Sequence, residues 1–325
     1  MLPVEIFSLT FFLITLPFYL LFLYTIIKFW GRDQRLNSPF FKIVLSLAVA
    51  DIAQELTSWC FVRFRLAGYA FEWYTKLDAL YFNRLSLYCS LTCVMSQTLG
   101  LFLLTVNRFS GVVFPMTGYV WWTNTRIAIC ISLQWVISIT AHLPIFALTN
   151  LQYVRVPSSS RVVAKYADKT TKITAALYYL LSCLYCMSFA LCLVILHLIM
   201  LVAHFKQRNQ VLPLAGAAQE NERHKAQVTE RKLIFCSFGL SCQFVGLCAV
   251  LLVLVVSMNL SKYMTLYTIA TDLLCMSNPF LIYACSSAVR ERFRQLLRLK
   301  CTLNFRAESN NYEMEQAGAA SGNQS

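Results

Sequence analysis

Apolar residues run along this chain in long stretches that are separated by short polar and charged segments. An α-helix rises about 1.5 Å per residue, so about 20 consecutive apolar residues are needed to cross a bilayer. Seven stretches reach that length, and the pattern therefore predicts seven membrane-spanning helices. The predicted spans are Ile6 to Ile27, Phe40 to Cys60, Leu85 to Val106, Ile127 to Leu148, Ile173 to Ala203, Leu233 to Ser257 and Tyr263 to Ser287.

The same pattern divides the chain into three parts. A seven-span membrane domain is expected over residues 1–287. Residues 288–301 place Phe293 on an apolar side and Arg294 on a basic side, which is typical of a helix lying on an anionic inner leaflet. Residues 302–325 are polar and are predicted to form a disordered cytoplasmic tail. The predicted fold is all-α, a polytopic seven-helix bundle with a short cytoplasmic interfacial helix.

Two segments are expected to extend helices beyond the bilayer. The fifth apolar stretch is long enough either to tilt or to project beyond the membrane. The loop that follows it ends in "ENERHKAQVTERK", whose good helix formers predict an inward extension of the sixth helix. Such an extension can offer a surface to a partner, or it can be an ordinary solvated collar.

Composition supports a membrane protein. Of the 325 residues, 58% are hydrophobic and 13% are charged, whereas soluble domains are about half apolar and about a quarter charged. The formal net charge is +13. The basic residues form short clusters between apolar stretches rather than one basic face. They are therefore interpreted as charges that flank the membrane spans, and they argue against nucleic-acid binding.

The charge distribution predicts the orientation. Lys28, Arg32, Arg35 and Lys42 follow the first span, whereas Glu5 precedes it. Because positive charge is retained on the cytoplasmic side, the amino terminus is expected outside and, after seven crossings, the carboxyl terminus inside.

Cysteines and modification motifs leave several questions open. Most of the thirteen cysteines lie within predicted spans, where free thiols act as small apolar residues. Cys60 and Cys89 lie near the outer rim and can either pair or stay free. Cys301 follows the interfacial helix, which makes it a candidate for palmitoylation. Asn259 begins a glycosylation sequon so close to the membrane that its modification is an open question.

Polar residues at matching depth predict a cluster in the middle of the bundle. Asp51 lies about 16 Å from the inner end of the second span, and buried carboxylates in membranes usually face partners. Asn278 and Pro279 lie at a similar level in the seventh span, as does Gln97, within residues 96–98, in the third. A polar cluster would satisfy the asparagine, and the proline would weaken the helix where it moves. The alternative is a purely structural clasp.

The outer halves of two spans carry candidate ligand contacts. Tyr88, Thr92 and Met95 follow helical spacing in the third span, and Tyr263 and Tyr267 do so in the seventh. Such stripes can line a ligand site or can simply pack against neighbouring helices.

Asp272 is a second acidic residue within the membrane. It can pair with a cationic ligand, with His142 or with Arg84, or it can complete an internal hydrogen-bond network. Arg108 ends the third span at the predicted membrane edge. It can snorkel to lipid phosphates, or it can form the floor of a cytoplasmic cavity that opens when helices separate.

These motifs resemble those of rhodopsin-like G-protein-coupled receptors. The resemblance rests on "LAVAD" in the second span, Arg108 at the end of the third, Trp135 in the fourth, and "NPFLIY" followed by Phe293. The stretch "LLTVNRFSGVVFP" and the cysteine-free second outer loop are more closely similar to nematode serpentine chemoreceptors of the class gamma and class V group.

The resemblance implies a plasma-membrane receptor, also expected in sensory cilia, that binds a small-molecule or environmental cue and activates a heterotrimeric G protein. By that likeness, the polar switch would comprise Asp51, Gln97, Asn278, Pro279 and Tyr283. Arg108 would take part in G-protein coupling. Whether the receptor forms a homo- or hetero-dimer stays open.

Three departures from the general receptor pattern affect these expectations. Asn107 stands where an acidic residue usually restrains the following arginine. One extra residue before Tyr283 rotates it by about 100° from the expected helix face. The sixth span lacks the usual hinge proline. Activation by a swing of that helix is therefore the expectation from the resemblance that this sequence supports least.

Two other protein classes are weighed against the receptor. A transporter or channel would be expected to show internal repeats or paired broken helices, and the chain has one Asn-Pro break. An enzyme would need a metal or nucleophile constellation, and the four histidines follow no metal-ligand spacing such as HExxH. We therefore expect no catalytic residues, no metal and no cofactor, with membrane lipids as surrounding partners.

Overall fold

The apolar stretches fold as helices that extend beyond most of the predicted span limits. The structure is a computed structural model of the chain, and it describes residues 3–64, 71–78, 81–114, 121–148, 150–155, 162–210, 217–257 and 260–298. Within these residues the long helices are α1 (Pro3–Phe29), α2 (Pro39–Thr57), α4 (Phe82–Val113), α5 (Asn124–Leu148), α6 (Lys169–Gln210), α7 (Ala217–Ser257) and α8 (Leu260–Cys285). The short outer helix α3 covers Phe71–Asp78.

Helix α2 begins and ends with recognisable local signals. Ser38 precedes it and Pro39 occupies its first turn, where a missing backbone N–H costs no helical hydrogen bond. At its outer end the chain widens into a π-helical segment, Ser58–Arg63, before Phe64. The 19 residues of α2 and the six of this segment together exceed the length needed to cross a bilayer.

Six of the described helices are long and apolar enough to cross a membrane, judged by length and composition alone. Helix α2 is absent from these six because it carries Lys42, Asp51 and Glu55 among its apolar residues. It nevertheless buries residues along most of its length within the bundle. The predicted all-α polytopic fold is confirmed, and α2 adds three charged residues to the bundle.

Helix α4 occupies the centre of the bundle. It packs against α2, α5, α6 and α7, while α8 packs against α7, α1 and α2. The main core includes Phe22, Phe40, Leu101 and Phe244, each almost fully removed from solvent. Because α2, α4 and α8 meet there, polar residues on their inward faces are forced together away from water.

Helices α6 and α7 are longer than a bilayer is thick. These helices contain 42 and 41 residues, so each is about 60 Å long, twice the hydrocarbon thickness of about 30 Å. The predicted extension of the sixth helix into the cytoplasmic loop is therefore confirmed as backbone structure.

The segment after α5 forms a small hairpin that the apolar pattern did not indicate. Strands β1 (Leu151–Arg155) and β2 (Val162–Tyr166) are antiparallel, with Leu151 opposite Tyr166 and Arg155 opposite Val162. The hairpin lies in the segment that connects α5 to α6, so the core of the bundle remains all-α.

A short helix, α9, follows α8 after a break at Ser286 and covers residues 287–298. Ala288, Val289, Phe293 and Leu296 are buried on one side of it. The backbone is thus helical over residues 288–298 of the segment that was predicted to lie on the inner leaflet, and its contact with the leaflet stays a prediction. The predicted tail, residues 302–325, lies outside the described residues.

Candidate functional site

Asp51 accepts hydrogen bonds from three other helices in the middle of the bundle. Oδ2 accepts from the hydroxyl of Tyr19 at 2.6 Å and from Nδ2 of Asn278 at 2.5 Å. Oδ1 accepts from Nε2 of Gln97 at 2.7 Å. The same Gln97 amide also lies 3.0 Å from the sulfur of Cys275. We call Asp51, Tyr19, Gln97 and Asn278 the central polar cluster.

The central polar cluster joins α1, α2, α4 and α8 through one carboxylate. Asp51 has 0% of its surface exposed, and its three partners are also buried. An unpaired polar group in hydrocarbon costs several kcal/mol, so these residues hold the four helices in one arrangement. Movement of α1, α4 or α8 alters the hydrogen bond between that helix and Asp51, and movement of α2 alters all three.

Matching depth correctly brings Asp51, Gln97 and Asn278 together, but it does not predict Tyr19. A tyrosine in the first span is usually attributed to apolar packing, and its hydroxyl is the only sign of a polar partner. Pro279 lies beside Asn278 inside α8, which remains helical on both sides of it. Pro279 has no backbone N–H, so this turn of α8 lacks one backbone hydrogen bond.

The neighbours of Gln97 belong to a different polar cluster. Gln134 of α5 donates to the carbonyl oxygen of Ser96 at 2.9 Å, and its own carbonyl oxygen accepts from Ser46 at 3.2 Å. The Thr98 hydroxyl bonds to a carbonyl oxygen of its own helix. Ser96 and Thr98 therefore do not join Asp51, because successive residues of a helix face different neighbours.

A second buried polar cluster lies nearer the outer end of α2 and α8. Arg63 forms an ion pair with Oδ1 of Asp272. Its guanidinium also donates to the backbone carbonyl of Thr268 at 3.3 Å and to Ser58 at 3.1 Å. The ring of Trp59 lies 4.6 Å from the guanidinium carbon, so one face of Arg63 is covered by an aromatic ring.

Arg63, rather than His142 or Arg84, is the ion-pair partner of Asp272, which lies in a buried internal polar cluster. His142 contacts the carbonyl oxygen of Ser138 on its own helix at 3.0 Å. Arg84 instead donates to Asn150 at 3.3 Å. Arg63 lies near the outer end of an apolar stretch, a position from which a long side chain can reach inward. Its place among three aromatic residues in "SWCFVRF" was the available signal.

The predicted ligand contacts of α4 differ in their surroundings. The hydroxyl of Tyr88 donates to the carbonyl oxygen of Ile139 at 3.3 Å. Thr92 is buried, and its hydroxyl has no hydrogen-bond partner among the described residues. Met95 is half-buried. The side chains of Tyr263 and Tyr267 lie outside the described part of the molecule.

Tyr283 lies in an aromatic group at the inner end of α8, apart from Asp51. Its ring contacts Phe18 edge-on at 5.8 Å and Phe293 at 5.1 Å between centroids. Phe18 also stacks on Phe280 at 4.2 Å. Arg290 of α9 donates to the carbonyl oxygens of Tyr283, at 3.1 Å, and Ala284. These contacts join α1, α8 and α9.

An acidic residue in the first inner loop joins that loop to α9. Asp33 accepts from Nε of Arg292 at 2.9 Å and from two groups of the Arg35 side chain at 3.0 and 3.1 Å. Arg35 also donates to Glu291 at 3.0 Å. The hydrogen bonds from Arg35, aided by Arg292, lower the pKa of Asp33 to about 2, against the opposing effect of burial.

Arg108 lies inside α4, five positions before its last residue, and its guanidinium carbon lies 4.0 Å from the ring centroid of Phe40. The arginine therefore packs against α2 instead of simply ending the span. Cys301 lies outside the described residues. Cys60 and Cys89 are both free thiols.

Comparison with known proteins identifies related chains. Residues 8–299 match the family described as serpentine type 7TM GPCR chemoreceptor Srv. The chain is also similar to serpentine receptor class V-1 of Caenorhabditis elegans, with 23% identity over 290 residues. That similarity covers 88% of this chain and 87% of the relative.

Proposed function

The chain belongs to the Srv family of serpentine seven-transmembrane chemoreceptors, and from this membership we propose that it activates a heterotrimeric G protein in response to a chemical cue. The cue is a small molecule or other environmental signal that binds among the outer halves of the helices. We propose that the receptor lies in the plasma membrane, including that of sensory cilia, with its amino terminus outside. No catalytic step is assigned to it.

The observation that carries this proposal is the convergence of three helices on the Asp51 carboxylate. A cue that contacts α4 or α8 from outside would bias the positions of Gln97 and Asn278 relative to Asp51. Binding energy then shifts the balance between two arrangements of the bundle. The missing hydrogen bond at Pro279 lowers the cost of bending α8 beside this cluster.

The proposed cue site lies outward of the central polar cluster. Thr92, whose buried hydroxyl has no partner among the described residues, offers a polar contact. We assign the other contacts to residues on the same level or above it, which are Tyr88, Met95, Tyr263, Tyr267 and Asp272.

The proposed signalling surface is the inner end of the bundle. Arg108 packs beside Phe40 near the inner ends of α4 and α2, where a shift of either helix would change its exposure. The contacts of Tyr283 with Phe18 and Phe293 would transmit movement of α8 to α9. Palmitoylation of Cys301 would fix the end of α9 to the inner leaflet.

A screen of chemical cues against cells that contain a promiscuous G protein would test the function. An active cue is then added to the purified receptor and G protein, and nucleotide exchange is measured. The proposal predicts cue-dependent exchange, which is lost when the receptor is left out. Transport of the cue molecule into proteoliposomes that contain the protein, without nucleotide exchange, would instead indicate a transporter.

A further inference from the structure

Glu55 lies one helical turn beyond Asp51 on α2 and is 1% exposed. Neither of its carboxyl oxygens accepts a hydrogen bond from a described residue, and the same is true of Oδ2 of Asp272. The two side chains lie within hydrogen-bonding reach of each other. Three buried acceptor oxygens of these two side chains therefore lack a hydrogen bond from any described residue.

Two ionised carboxylates cannot occupy this region at acceptable cost. Each buried charge is expensive in hydrocarbon, and like charges in direct contact disfavour the ionised form of at least one group. A single proton resolves both problems, because a protonated Glu55 becomes a donor to Asp272. It also satisfies two of the three oxygens that otherwise have no donor.

The charges of the surrounding groups favour a single proton on the pair of carboxyl groups. Arg63 pairs with Asp272, so a neutral Glu55 leaves one positive and one negative charge in contact. The pair is faced by Ser8 of the neighbouring helix α1, by Asp51 on the same helix as Glu55, and by Cys275 on the same helix as Asp272. Asp51 adds negative charge from below, which further disfavours ionised Glu55.

We infer that Glu55 and Asp272 form a proton-binding site in which Glu55 holds one proton and donates it to Asp272. Arg63 balances the remaining carboxylate charge from the outer side. Its guanidinium would repel a metal ion or an organic cation at the same position, whereas a proton on Glu55 adds no net positive charge beside it. The site lies within the proposed receptor domain but needs no cue and no G protein to exist.

Infrared spectroscopy of the purified full-length receptor tests this site directly. A protonated carboxyl group has a C=O stretch that shifts in D₂O and is separate from ionised carboxylate absorption. Spectra at neutral pH are compared for the wild type, Glu55→Gln, Asp272→Asn and the matched control Glu291→Gln. Glu291 is exposed and paired with Arg35, so its replacement removes a carboxyl group at the surface, away from the buried pair.

The inference predicts that Glu55→Gln and Asp272→Asn each lose the same single protonated-carboxyl band. In Asp272→Asn, the introduced amide donates to Glu55, which then ionises and becomes the counter-ion of Arg63. Glu291→Gln should lose only ionised carboxylate absorption. The wild-type band is expected to be present without any cue.

Two results would overturn the inference. One is a Glu55→Gln spectrum that loses ionised carboxylate absorption and keeps every protonated band. The other is failure of Glu55→Gln to fold while Glu291→Gln folds normally, because the introduced amide keeps the shape of the side chain and can donate to Asp272 in place of the proton. Neither result depends on whether the receptor activates a G protein.

Discussion

Replacing Gly100 by alanine tests the close packing of α4 against α2 and α5. A Cβ atom at Gly100 would lie 3.0 Å from Nε2 of Gln134 and 3.2 Å from Cδ1 of Leu47. Unstrained contacts between such atoms lie at about 3.5–4.0 Å. The added methyl group would therefore push Gln134, whose Nε2 already donates to Ser96 at 2.9 Å.

The expected loss of stability follows from two opposing effects. Overpacking a close helix contact costs about 1–3 kcal/mol. Alanine recovers up to about 1 kcal/mol through its better helix propensity. With that gain subtracted in full, the net result should be destabilisation of up to about 2 kcal/mol. Gly246→Ala is the matched control, because a Cβ atom there meets nothing within 4 Å, and this variant should be as stable as the wild type or more so.

Thermal unfolding of the purified receptors in one detergent provides the assay. Gly100→Ala should melt below the wild type, and Gly246→Ala should not. If Gly100→Ala instead melts at or above the temperature of Gly246→Ala, the contact among α2, α4 and α5 is looser than the structure indicates.

Three further predictions concern other parts of the molecule. Arg108→Ala should keep near-normal surface expression and abolish cue-driven nucleotide exchange, and full exchange would remove Arg108 from the proposed coupling surface. Tyr19→Phe should lower the free energy of unfolding by about 0.6–1.7 kcal/mol, as measured by thermal melting, because Asp51 loses one donor. The pKa of Asp33 is lowered from 3.8 to about 2, so its stabilising effect is complete above pH about 4 and is lost as the pH falls through about 2. Melting temperatures measured across that range should fall less for Asp33→Asn than for the wild type, and parallel curves would contradict the assignment.

The sequence predicts the helices well because apolar length is a local property. It also predicts that Asp51, Gln97 and Asn278 meet, since depth in the membrane can be counted from the end of each span. Their meeting additionally requires that the three helices present these residues to one another. A residue count cannot establish that rotation, which is why Ser96 and Thr98 were expected beside Asp51 and lie elsewhere.

The less predictable contacts depend on helix neighbours and side-chain reach. Tyr19 reaches its polar partner only because α1 packs beside α8. Gln134 reaches its own partner, Ser96, only because α5 packs beside α4. Arg63 reaches inward along the outer end of the bundle, so its pairing with Asp272 could not be read from depth alone. Glu55 could have been noticed, because a spacing of four residues places it on the same helix face as Asp51.

A double-mutant cycle between Asp51→Asn and Asn278→Leu tests the proposed switch most directly. Cue-driven nucleotide exchange is measured for the wild type, both single variants and the double variant, corrected for the amount of folded receptor. The account predicts that both single changes alter the response and that the double change is less than additive, by about 0.5–3 kcal/mol of coupling. Asp51→Asn combined with the distant Glu291→Gln should be additive. Strict additivity of Asp51→Asn and Asn278→Leu would contradict the account, because residues that share the 2.5 Å hydrogen bond would then not act together in signalling.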